Sequence, residues 1–169
     1  EKTVELADSG SDQSLELYKK GGDAYIALWR DYGEGPLAKG QPSQCGKMEE
    51  ILYNASKAYQ AGRLLAKSIA AKRLLLAPQY GLQDTELAKK AIYEIGGNYQ
   101  AIAVYDVAAG FYKRYAEETN YRGEFADQAI SDAVVLNLGL GRDEEAIEAA
   151  KSFNQNFGRR KPEQAAQIA

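Results

Sequence analysis

The sequence predicts an all-α chain in which antiparallel helical hairpins stack into an α–α superhelix, and three observations carry that prediction. The first is a spacing. Gly96 is followed by Tyr99, and Ala108 by Tyr112 and Tyr115, so small residues stand where two helices touch and aromatics follow at short intervals. The second is recurrence. Tyr59 lies three places after Ser56 as Tyr99 lies three after Gly96, and the two tyrosines are about 40 residues apart. Ser68, Leu75 and Pro78 follow Tyr59 much as Ala108, Tyr115 and the Asn120 turn follow Tyr99. A last copy carries Val134, Asn137, Gly141, Ala146, Ala150 and Phe153. The third is apolar periodicity of helical type from Cys45 almost to the end, with no convincing strand. Small residues let paired helices approach closely, and aromatics fill the space between neighbouring hairpins.

Taken in order, residues 1–12 read as a polar lead-in. Its oxygen-rich run Asp8-Ser9-Gly10-Ser11-Asp12 reads as a linker, because a calcium loop needs a distal Glu that is missing. A helix is expected from about Gln13, with Leu15 and Leu17 first, and Gly21-Gly22 is expected to break it. A second helix then places Ala24, Leu28 and Trp29 inward and Asp31 outward, and Gly33-Glu34-Gly35-Pro36 is expected to stop it. Pro36 to Gln44 is the longest loop. Ile51, Leu52, Ala55 and Tyr59 mark the next helix, Ala61-Gly62-Arg63 a hairpin turn, and Leu64 to Ala77 the return helix ended by Pro78. Asp84 reads as an N-cap for a helix running to about Ala101, whose partner spans about Val104 to Glu118. Glu124 to about Leu138, a turn at Gly139-Leu140-Gly141-Arg142, and Asp143 to Phe157 form the last hairpin, with Asp143 as N-cap and Ala146 on its packed face. Gly158 ends it, and a short final piece after Arg159-Arg160-Lys161-Pro162 begins a further helix or a tail. The expected hairpins are thus about 13–34, 45–77, 84–119 and 122–157, with 158–169 as the tail.

Composition narrows the function classes. The chain has no His, which removes the commonest general base, the usual metal ligand and the ordinary pH switch. Its one Cys, Cys45, permits no internal disulfide and has no His to activate it as a nucleophile. Lys and Arg total 21 against 24 Asp and Glu, and the basic residues are scattered, which argues against a nucleic-acid footprint. Arg159-Arg160-Lys161 is too short to provide one. No run approaches the roughly 20 apolar residues of a membrane span, so no direct membrane insertion is expected. The chain begins at Glu1 without Met, which reads as a piece of a longer or processed protein. Gly139-Leu140-Gly141 follows a helix rather than a strand and reads as a turn, not a nucleotide loop. Asn54-Ala55-Ser56 matches a glycosylation acceptor but falls inside a helix. The pairs Glu49-Glu50, Glu117-Glu118 and Glu144-Glu145 are adjacent on helices and do not face each other. No catalytic residue, metal ligand or cofactor is assigned, and the expected activity is non-enzymatic.

At several of these residues the chain resembles the tetratricopeptide repeat family. Gly139 to Ile147 resembles the family's turn and second-helix start, and Ile95-Gly96-Gly97-Asn98-Tyr99 the middle of its first helix. Phe111-Tyr112-Lys113-Arg114-Tyr115 is similar to an aromatic variant found in bacterial envelope proteins. Gly22-Asp23-Ala24-Tyr25 with Leu28-Trp29, Cys45 and Ile51-Leu52-Tyr53-Asn54-Ala55 resemble periplasmic repeat proteins, including those of gliding-motility complexes. The likeness covers about 13–157. It departs at Lys72, where an aromatic or Ala is expected, and in a repeat near 40 residues rather than roughly 34.

The resemblance implies a right-handed superhelix whose concave groove, lined by the first helix of each hairpin, binds a protein or peptide partner. The groove residues it implies are Tyr53, Lys57 and Gln60, then Lys90, Tyr93 and Gln100, then Gln128 and Ser131. Lys57 and Lys90 match part of the family's carboxylate clamp, whose Arg is absent. It also implies a bacterial periplasm or envelope setting, with the cytoplasm as the alternative. The alternative function is a structural spacer or oligomerisation segment with an empty groove. An apolar flank left at either end implies further repeats or self-association through the end faces.

Overall fold

The computed structural model describes residues 11–168. The expected lead-in therefore lies, but for Ser11 and Asp12, outside the described residues, as does most of the linker reading at Asp8–Asp12. Every regular element among the described residues is helical. The chain divides into two compact units, Glu1–Ala91 and Ile92–Ala169.

In the first unit α1 spans Asp12–Trp29, and Ser11 caps it by accepting a hydrogen bond from the Ser14 amide. The expected break at Gly21-Gly22 does not occur. Gly22 is buried inside a continuous helix because the Tyr59 ring lies against it: a methyl carbon there would sit 2.5 Å from Tyr59 Cε1. Glycine here gives room for a neighbouring helix and does not end its own. Trp29 is buried and Asp31 exposed as expected, but Ala24 and Leu28 are exposed, because the packed face of the unbroken helix runs through Gly22 and Trp29. The expected stop at Gly33–Pro36 does not occur either. The chain widens into a π-type turn over Arg30–Glu34 and continues as the short helix α2, Gly35–Ala38. Pro36 is tolerated because it stands at the start of that helix, where its missing N–H is not needed.

Helices α3, Met48–Ala61, and α4, Leu65–Leu75, form the hairpin that the periodicity predicts. Leu52, Leu75 and Trp29 fill the core with Leu82, Ala88 and Ala91, and Trp29 meets Tyr80 edge to face at 5.3 Å. The Tyr80 hydroxyl donates to Glu34 Oε1 at 2.6 Å, tying the 3₁₀ turn Pro78–Tyr80 to the π-type turn. A polar link joins three helices. The Tyr59 hydroxyl donates to Asp23 Oδ1 at 2.8 Å, and Lys67 Nζ donates to the same oxygen at 2.7 Å.

The Lys67 hydrogen bond, with the Tyr59 bond second, holds the Asp23 carboxyl below its ordinary value of 3.8. A depressed folded-state pKa stabilises the fold above that value, and the gain is lost as the pH falls through the folded pKa. Asp23→Asn is expected to lower the urea midpoint at pH 7 and to converge with the native chain as the pH drops below 3.8. Because the Asp23 side chain is 46% exposed, solvent screening holds the difference under about 1 kcal/mol.

Helix α5, Glu86–Ala101, begins in the first unit and ends in the second. Its cap is Thr85, whose hydroxyl accepts from the Ala88 amide; the expected cap, Asp84, stands one residue too early. In the second unit α6 spans Tyr105–Glu118, α7 Ala126–Gly139, α8 Asp143–Phe157 and α9 Pro162–Gln167. Asp143 is the first residue of α8 rather than its cap, and Arg142 holds the cap position without a side-chain bond. Gly96 repeats the role of Gly22: a methyl carbon there would lie 2.8 Å from two atoms of the Tyr112 ring. Tyr93 stacks on Phe125 at 4.9 Å and touches Tyr112 and Tyr115 at 5.4 and 5.3 Å. Lys113 donates to Glu148 at 2.9 Å and so joins α6 to α8.

The hairpins share one turn. The amides of Leu64, Val104 and Arg142 bond back to the carbonyls of Tyr59, Tyr99 and Asn137, and the amides of Arg63, Ala103 and Gly141 to Gln60, Gln100 and Leu138. That bond pair needs a left-handed residue, and Arg63, Ala103 and Gly141 have φ of 59°, 59° and 69°. Only the third turn uses glycine for it. Gly62, the glycine of the first turn, has φ −76° and instead lets α1 approach: a methyl carbon there would lie 3.3 Å from the Leu15 carbonyl oxygen.

Candidate partner-binding surface

Tyr53 stands half-buried on α3 with two ammonium groups at its ring. Lys57, one helical turn further on, places Nζ 6.0 Å from the ring centroid, and Lys90, from the start of α5, places Nζ 5.9 Å from it. Two ammonium groups near one aromatic ring place positive charge beside its apolar edge. This arrangement can receive a carboxylate while the ring covers an apolar neighbour.

The other residues expected in a groove are placed differently. Gln60 accepts through Oε1 from Lys72 Nζ at 2.9 Å. Gln100 is exposed, yet its Oε1 accepts from the Tyr112 hydroxyl at 2.6 Å. Tyr93 is half-buried in its ring cluster, where burial first, then the Asp132 carboxylate, pushes its phenol up. Gln128 is exposed and donates to Asp132 Oδ1 at 2.7 Å, and Ser131 is buried. The structure therefore brings Tyr53, Lys57 and Lys90 together as one surface and ties Gln60, Gln100 and Tyr93 into packing.

Two features were not singled out as sites from the sequence. Asp132 is pushed up from its ordinary value by burial, with the Gln128 hydrogen bond opposing, and it raises both Tyr93 and Tyr112. Burial, with Asp132 and Tyr93 adding, brings the Tyr112 phenol to about 12. The only sequence signal for Asp132 is its place four residues after Gln128. Lys72 is fully buried, and its Nζ also lies 3.3 Å from Ser68 Oγ. The Lys72 to Gln60 bond occupies the same place in its hairpin as the Tyr112 to Gln100 bond in the next, each pair 12 residues apart. Lys72 thus supplies in its hairpin the donor that Tyr112 supplies in the next.

Among the described residues, no three His, Cys, Asp or Glu side chains converge to hold a metal ion, and no helix is long and apolar enough to cross a membrane. No family model, curated protein or solved structure matches the chain.

Proposed function

We propose that this chain is a non-catalytic interaction scaffold of the tetratricopeptide type, and that it holds an acidic peptide segment of a partner protein at Tyr53, Lys57 and Lys90. The pair of ammonium groups on the one Tyr53 ring carries this reading. Aromatic anchors flanked by matched charge are the usual centre of a peptide site, and an acidic strand or helix supplies both the carboxylates and the apolar contact. The resemblance of the repeat adds the setting: a bacterial envelope complex in the periplasm, of the kind that serves motility or the outer membrane.

The test is fluorescence anisotropy with an acidic, a neutral and a basic peptide of equal length. Binding is expected for the acidic peptide alone and is expected to weaken as salt rises. Lys57→Glu with Lys90→Glu is expected to weaken it at least ~30-fold, about 2 kcal/mol. Equal binding by the native chain and the double variant would defeat the assignment.

A structural role as spacer or oligomerisation segment is the second reading. It draws on the exposed apolar residues of the second unit, where Leu138 and Ile147 border a cleft of about 320 Å³ with Val134, Ala146 and Ile168.

A further inference from the structure

Helix α1 has a second apolar face in addition to the one packed through Gly22 and Trp29. At about 100° per residue, Leu17, Gly21, Ala24, Tyr25 and Leu28 fall on one stripe of α1, and the exposed Tyr32 follows in the π-type turn. Tyr25, Leu28 and Tyr32 are 38%, 42% and 50% exposed, Ala24 is exposed, and nothing lies within 4 Å of where a Gly21 side chain would begin. Single exposed apolar residues are ordinary on a surface; a continuous stripe along about three turns of one helix and into the turn after it is not.

We infer that this stripe binds the same stripe of a second copy, with the two α1 helices antiparallel. The pattern is self-complementary in that orientation. A two-fold axis midway between Ala24 and Tyr25 sets Ala24 against Tyr25, Gly21 against Leu28 and Leu17 against Tyr32, so each small or shorter residue meets a larger one. Such small-to-large matching lets helices pack ridge into groove at close range, and a two-fold interface requires it of one patch against itself.

Charge supports the same occupant. Lys20 and Asp31 lie on the same flank of the stripe, and both are exposed. Rotation about that axis keeps a flank on its own side, so Lys20 of one copy comes level with Asp31 of the other within about one turn. The interface then carries two reciprocal Lys20–Asp31 pairs at its rim, where charge fixes orientation and register. This inference bears on the oligomerisation reading and is independent of what occupies Tyr53.

The test is analytical ultracentrifugation of the chain from roughly 1 to 200 µM. A monomer–dimer equilibrium is expected, and Leu28→Glu is expected to raise its dissociation constant at least ~30-fold with an unchanged helical circular dichroism spectrum. Lys20→Asp and Asp31→Lys are each expected to weaken the dimer, and the two together to restore it. A native chain that stays monomeric overturns the inference and leaves the stripe to a different protein. A dimer unaffected by Leu28→Glu overturns it as well, by placing the interface elsewhere. A charge-swapped double variant weaker than either single one overturns the antiparallel register.

Discussion

Lys72→Ala is expected to destabilise the fold by about 3 kcal/mol, within the range for truncating a buried long side chain. The side chain is fully buried on α4, and its ammonium donates to Gln60 Oε1 at 2.9 Å and lies 3.3 Å from Ser68 Oγ. Two losses add. Truncation opens a cavity where the aliphatic stem packed, and it removes the donor that Gln60 and Ser68 share. One gain opposes them, because a buried charge no longer has to be held out of water. Lys72→Met separates the effects. It keeps the volume of the stem and deletes the ammonium, its charge and its hydrogen bonds together, so the lost bonds and the relieved charge burial offset and its cost is expected to stay under about 1.5 kcal/mol. Urea denaturation of both variants checks the ordering, with the slope unchanged if only stability has moved. A Met variant as damaged as the Ala variant would show that the hydrogen bonds, and not the packing, hold Lys72 in place.

Gly22→Ala is expected to cost about 2 kcal/mol, although alanine is the better helix former by about 1 kcal/mol. Tyr59 decides the sign. The new methyl would meet Cε1, Cδ1 and Cζ of that ring at 2.5, 2.6 and 2.9 Å. The ring has no room to swing, since it is 4% exposed and its hydroxyl is bonded to Asp23. Either α1 moves away from α3 or the Asp23 bond breaks. Gly110→Ala is the matched control. Gly110 is inside α6 with nothing within 4 Å of the new methyl, so propensity acts alone and a gain of up to about 1 kcal/mol is expected. Thermal melts of the two variants should therefore shift in opposite directions. Both shifting upward would mean that Tyr59 yields freely, and the close approach of α1 to α3 would not be what selects glycine.

These two positions also show how far the sequence could be read. The hairpins α3–α4, α5–α6 and α7–α8 were legible because each announces itself locally, by apolar residues at helical spacing and a turn at the right distance. The helical class needed nothing more. Residues 13–38 were not legible in that way, because a glycine has two physical meanings. Gly21-Gly22 reads as a breaker when only its neighbours are considered, whereas the contact that requires Gly22 is made by Tyr59, more than thirty residues away. Pro36 misleads for a related reason: it forbids a helix interior and suits a helix start, and only the π-type turn before it shows which applies. Caps failed by a single residue, as Asp84 and Thr85 are both competent and geometry chose Thr85.

The candidate site divides along the same line. Tyr53 and Lys57 are one helical turn apart, so their pairing is visible in the sequence, and only the folded chain brings Lys90 to the same ring. Gln60 and Gln100 look equally free on a helical wheel. Their amide oxygens are taken by Lys72 and Tyr112 from the return helix of each hairpin, a partnership that only the folded turn creates. Ser131 is buried for a similar reason, since α7 is enclosed along Ala126, Ala129, Ala133 and Val134 as well.

The most direct test of the scaffold proposal is crosslinking capture from a lysate of the source organism. The native chain is compared with a Tyr53→Ala, Lys57→Glu, Lys90→Glu variant of equal thermal stability. The account predicts a partner whose crosslinks to the native chain fall beside Tyr53, through an acidic segment, and that the variant loses. A partner held equally by both chains, or crosslinked only at other surfaces, would contradict it.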